Sequence, residues 1–94
     1  MRKHGKIDAN QAEIVAVLRR CGFSVQSLAS VGNGCPDLLV GRGLENFLLE
    51  VKDGNQPPSK HRLTDEEKEW HAGWRGQVTT VHSVDEALSK LGQK

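Results

Sequence analysis

Apolar positions in this chain change period as the sequence advances, and each change predicts a new element. Ile14, Val17, Leu18 and Cys21 recur at i, i+3, i+4 and i+7, which predicts an amphipathic helix. Asp8 or Asn10 can cap it, and Gly22 stands where a helix C-terminus favours glycine. Phe23 to Val31 reads as a first strand, ended by the Gly32-Asn33-Gly34 turn. Pro36 suits a strand start, having no amide to donate. Two apolar runs, Leu38-Leu39-Val40 and Phe47-Leu48-Leu49-Glu50-Val51, then flank Gly41-Arg42-Gly43, a hairpin signal.

The polar stretch from Asp53 to Arg62, stiffened by Pro57-Pro58, reads as a loop. Thr64-Asp65-Glu66-Glu67 is a capping box that opens a second helix, with Trp70, His71 and Trp74 on one side and Gly76 ending it. Val78 to Val81 is a β-branched strand. Ser83-Val84-Asp85-Glu86 is a second capping box, and Val84, Ala87, Leu88 and Leu91 form the stripe of a closing helix. The expected order is helix, three strands, helix, strand, helix: one α/β domain with a single crossover on an otherwise antiparallel sheet. No repeat or second domain interrupts it, and residues 1–7 form a basic tail expected to be loosely ordered.

Composition narrows this picture. Ninety-four residues with 36% hydrophobic and 4% aromatic content allow only a modest core, for which pairing with a second copy is one remedy. The net charge of +1 implies no polyanion by itself, although Arg2, Lys3, Lys6, Arg19, Arg20, Arg42, Lys60 and Arg62 can share a face. Cys21 and Cys35 show no paired spacing, so the expectation is two reduced thiols in a soluble cytoplasmic protein without a membrane segment. His4, His61, His71 and His82 lack metal-ligand spacing and read as surface or packing residues. Trp70 and Trp74 read as core or interface anchors.

The chemistry concentrates in the hairpin. Folding it about Gly43 and Leu44 sets Val40 against Phe47 and Asp37 against Glu50. Alternation puts Phe47, Leu49 and Val51 on one face, and Leu48, Glu50 and Lys52 on the other. Asp37, Glu50 and Lys52 therefore converge at one end, where burying the carboxylates needs compensation such as a divalent cation. Both carboxylates and the Val51 carbonyl are hard oxygen ligands of the kind Mg²⁺ prefers, with Mn²⁺ as a substitute. Lys52 would orient and help deprotonate an attacking water.

Pro36-Asp37 followed by Glu50-Val51-Lys52 resembles the signature of the PD-(D/E)XK nuclease superfamily. With Glu13 on a preceding helix, Gly34-Cys35-Pro36-Asp37, and Leu63-Thr64 opening a helix, the string resembles the small stand-alone phage-type form of the VRR-NUC branch, from about Glu13 to Leu88. The resemblance implies a restriction-endonuclease-like α-β-β-β-α-β core with a mixed central sheet flanked by helices. It implies a metal-dependent endonuclease acting on DNA, structure-selective for branched forms such as four-way (Holliday) junctions, in recombination or repair. It further implies a homodimer without organic cofactor, and products with 5′-phosphate and 3′-hydroxyl ends. Glu13, otherwise a solvated helix residue, would act through a metal-bound water. Gln56, Lys60 and Arg62 are candidates for phosphate contact, or part of a plain linker. Many relatives carry a Gln in the helix after Leu-Thr, where this chain has Glu67 and Lys68. Two other readings remain: a nickase, flap or end-trimming nuclease with the same site, and a non-catalytic nucleic-acid-binding or assembly module.

Overall fold

Ile14 and Leu18, one turn apart, are the residues through which the first helix enters the core. The structure is a computed structural model and describes residues 9–57, 59 and 62–92. Asp8, the basic tail, His4, Lys60 and His61 lie outside the described residues. The elements in chain order are α1 (Ala9–Arg20), β1 (Ser24–Ser27), β2 (Leu38–Arg42), β3 (Glu45–Val51), α2 (Asp65–Gly73), β4 (Thr79–Val81) and α3 (Val84–Lys90). They form a small α/β fold around a four-stranded mixed sheet of order β1-β2-β3-β4, flanked by helices. The β1–β2 and β2–β3 pairs are antiparallel, and β3–β4 is parallel across the crossover through α2.

Local chemistry sets the junctions. After α1, Phe23 N–H donates to Leu18 O and Gly22 N–H to Arg19 O, the paired bonds of a Schellman stop, with Gly22 at φ +94°. Cys21 thus falls just beyond the helix, half-buried against the core. In the hairpin Arg42 faces Glu45 across a two-residue turn. Gly43 has φ +65° and Leu44 does not share the positive value, the combination a type II′ turn requires. At α2 both halves of the Thr64–Glu67 capping box form. At α3 only half forms: Ser83 caps Glu86 N–H, but the Glu86 carboxylate turns to the amide and ring of His82.

Some boundaries differ from the sequence pattern. β1 ends at Ser27 rather than Val31, because its partner β2 begins only at Leu38 after the Pro36 break. One further bond, Leu28 N–H to Asp37 O, continues the pairing. α2 stops at Gly73 with Trp74 as its cap, short of Gly76. Asn10 lies inside the first turn of α1 rather than capping it.

Face alternation follows the expected pattern. Leu38, Val40, Leu49, Val51 and Val81 bury one face against Ile14 and Leu18 of α1 and Ala87 and Leu91 near α3. Each such aliphatic contributes about 1.5–3 kcal/mol on full burial. α2 lies over the other face, and none of its residues is buried. Trp70 and Trp74 are accordingly absent from the core; they stack on each other, centroids 4.6 Å apart, with Trp74 46% exposed.

Candidate active site

Asp37 precedes β2 at the place where the ladder would pair it with Glu50. Instead of a backbone carbonyl, the Asp37 carboxylate takes the bond: Val51 N–H donates to Oδ2 at 2.7 Å. Residue 51 directs its N–H and C=O to the same side of the strand, so the Val51 carbonyl also points toward the β2 side. Glu50 lies on the opposite sheet face from Leu49 and Val51 and is 1% exposed.

Burial pushes the Glu50 carboxyl up to about 9, reinforced by a hydrogen bond with Asp37 and by the negative charges of Asp37 and Glu67. Lys52 acts the other way without reversing it. Without a cation, Glu50 therefore keeps its proton at neutral pH. The half-buried Cys35 thiol is also raised, first by burial and then by Glu50 and Asp37.

Lys52 follows on the same face, and its ammonium donates to Glu67 Oε1 of α2 at 2.8 Å. The same oxygen accepts the Thr64 N–H at 2.8 Å, so the helix cap and the lysine share one acceptor. Burial alone would raise the Glu67 carboxyl, but Lys52 and Thr64 hold it below the usual carboxylate range. One turn on, His71 Nε2 lies 3.6 Å from Glu50 Oε1, and neither buried atom has a hydrogen-bond partner. Gly34 fixes the helix over the site: a Cβ there would stand 2.3 Å from the Glu66 carbonyl oxygen, and its φ is +83°.

The structure thus brings Asp37, Glu50 and Lys52 together and adds Glu67 and His71. The sequence pattern gives Glu67 only a capping role and reads His71 as a surface or packing residue. Their i, i+4 spacing, which puts both on one helix face, was the available signal. Glu13 is exposed and lines an open cavity of about 840 Å³ with Asn10, Gly54, Asn55, His82 and Asp85. None of Asp37, Glu50 and Lys52 lines that cavity. From α1, the Asn10 amide donates to Lys52 O at 3.0 Å and His82 O at 3.3 Å. Gln56 and Arg62 are exposed in the loop between β3 and α2.

The donor chemistry fits a hard divalent cation. Glu50 Oε1 is a buried acceptor without a donor, and the carboxyl pair compensates its charge only by retaining a proton. Among the described residues no cluster of three or more His, Cys, Asp or Glu side chains has metal-holding geometry. A cation at Asp37 and Glu50 would complete its shell with the Val51 carbonyl and water, as Mg²⁺ commonly does. Searches against known protein families, curated proteins and solved structures find no match for this chain.

Proposed function

We propose that this chain is a metal-dependent endonuclease of the PD-(D/E)XK type that hydrolyses DNA phosphodiester bonds. The observation that carries the reading is the contact between the Asp37 and Glu50 carboxyl groups on neighbouring chain segments, with Lys52 next along the same face. The element order and the parallel β3–β4 pair support reading the sheet as the restriction-endonuclease-like core. Asp37 and Glu50 would hold Mg²⁺ or Mn²⁺, and Glu13 would act only through an intervening water. When bound, the cation supplies charge neutralisation for the attacking and leaving oxygens of the phosphodiester.

The chain's own groups divide the remaining work. The Val51 amide fixes one oxygen of Asp37, leaving the other for the cation. Lys52 orients the attacking water, and Glu67 holds its ammonium at a defined place. Gln56, Lys60 and Arg62 would contact phosphates outside the reacting bond. One chain carries one such site, whereas resolving a four-way junction requires two symmetric cuts, so a two-fold dimer on branched DNA is the form this reading favours.

The test uses plasmid DNA bearing an extruded cruciform, with Mg²⁺ or a chelator, and sedimentation of the same preparation. Cleavage should require the cation, yield 5′-phosphate ends, prefer the cruciform, and vanish in Glu50→Gln while the fold persists. Wild-type cleavage by Glu50→Gln would overturn the site. A monomer that nicks without cruciform preference would remove the junction specificity alone.

A further inference from the structure

Beside the candidate active site, on the same sheet face, lies a slot of about 330 Å³ walled by Leu39, Phe47, Leu48, Trp74 and Gln77, with Asn46 also lining it. Leu48 is two residues before Glu50 on β3, which puts the slot roughly 7 Å along the strand from the proposed cleavage centre. Its aromatic wall is held in place. Trp74 stacks on Trp70 with an interplanar angle of 21°, and the bare backbone of Gly76 lets the indole lie close. A Cβ on Gly76 would stand 2.9 Å from the Trp74 Nε1. Gln77 is fixed too: its amide pairs with both the N–H and the carbonyl of Leu48.

We infer that this slot receives one unstacked nucleobase of the DNA substrate, stacked on Trp74 and met at its edge by Asn46. The inference rests on the nuclease reading and deepens it, assigning substrate with unpaired bases near the cut. Three features select this occupant over a protein chain. The volume lies at the bottom of the range for small-molecule sites, about 300–1,000 Å³, and suits a single ring system. A protein interface takes about 800 Å² from each partner, far more than this slot's walls offer. Finally, a flat indole flanked by aliphatic walls accepts the π-face of any base.

The experiment measures binding of the full chain, in chelator, to a single-stranded oligothymidylate carrying one 2-aminopurine and to the matching blunt duplex. Binding should quench the 2-aminopurine in the single strand. Trp74→Ala should weaken single-strand binding about tenfold and leave duplex binding nearly unchanged, with Trp74→Phe recovering most of the loss. Gly76→Ala, which displaces the indole without deleting it, should mimic Trp74→Ala. No loss, or an equal loss on both DNAs, overturns the slot assignment. So does sedimentation showing that Trp74→Ala converts a dimer to a monomer, since a second copy then fills the slot. Because this readout needs no cleavage, the two readings fail separately. Cleavage without Trp74 dependence sinks the slot, and Trp74-dependent binding without metal-dependent cleavage sinks the nuclease.

Discussion

His71 Nε2 of α2 faces Glu50 Oε1 of β3 across 3.6 Å, too far for a hydrogen bond, with both atoms buried. The pair lies where the most buried carboxyl of the described chain meets a helix with no buried residue. Such a juncture is costly unless the acid stays neutral or a cation joins it.

A pH dependence follows. Glu50 holds its proton up to about 9, against an ordinary value of 4.5. Its contribution to stability is thus fully present below about 4.5 and is lost as pH rises towards 9. Glu67 and Glu86, held below the usual range, act oppositely: they stabilise above it and lose that effect on acidification. Cation-free protein should show a melting temperature that falls between about pH 5 and 9, the slope bounded near 1.4 kcal/mol per pH unit. Saturating Mg²⁺ should flatten that slope, and Glu50→Gln should remove it. A melting temperature flat in pH without cation would contradict the assignment.

Glu67 separates capping from lysine positioning. Glu67→Gln can still accept the Thr64 amide, since Gln serves at this position of a capping box. Glu67→Ala loses both bonds and should cost about 1–2 kcal/mol in chemical denaturation. Both variants release Lys52 from its charged partner, and cleavage should fall in both, by about tenfold or more for a misplaced group. If Glu67→Gln cleaves as the wild type does, Lys52 needs no positioning.

Gly34→Ala should be the most damaging single methyl added near the site. Its φ of +83° costs a side chain about 1–3 kcal/mol, and the new Cβ would collide with the Glu66 carbonyl. Circular dichroism should show a retained sheet with a lowered melting temperature, and cleavage should drop with the displaced helix. A variant as stable as wild type would mean that α2 does not sit against this turn.

The hairpin was legible because two independent signals agreed. Period-two alternation fixed which side chains share a face, and the Gly43 turn fixed the register, so Val40 opposite Phe47 emerged from residues alone. Asp37 beside Glu50 followed from that register carried three residues further, one past the Leu38–Leu49 pair. The second helix is legible from its capping box, but the face by which it meets the sheet is not. Its eye-catching residues are Trp70 and Trp74, yet the side that meets the sheet is polar, through Glu67 and His71. Hydrophobic periodicity is silent about a docking face built from charges. The first strand was overdrawn for a related reason, since Leu28 and Val31 are apolar but have no partner strand beyond Ser27. Glu13 rested on resemblance, and its cavity beside His82 is a feature of tertiary packing that no local pattern encodes.

The absence of buried residues from α2 has a dynamic consequence. Lifting that helix breaks an ion pair and a close backbone fit but exposes little apolar surface, so the opening should depend only weakly on urea. Amide hydrogens of α2 should then exchange through a local fluctuation insensitive to denaturant, while those of Leu49 and Val51 wait for global unfolding. The sheet face that carries Glu50 would be uncovered many times within one lifetime of the folded chain, each time without disturbing the core beneath it.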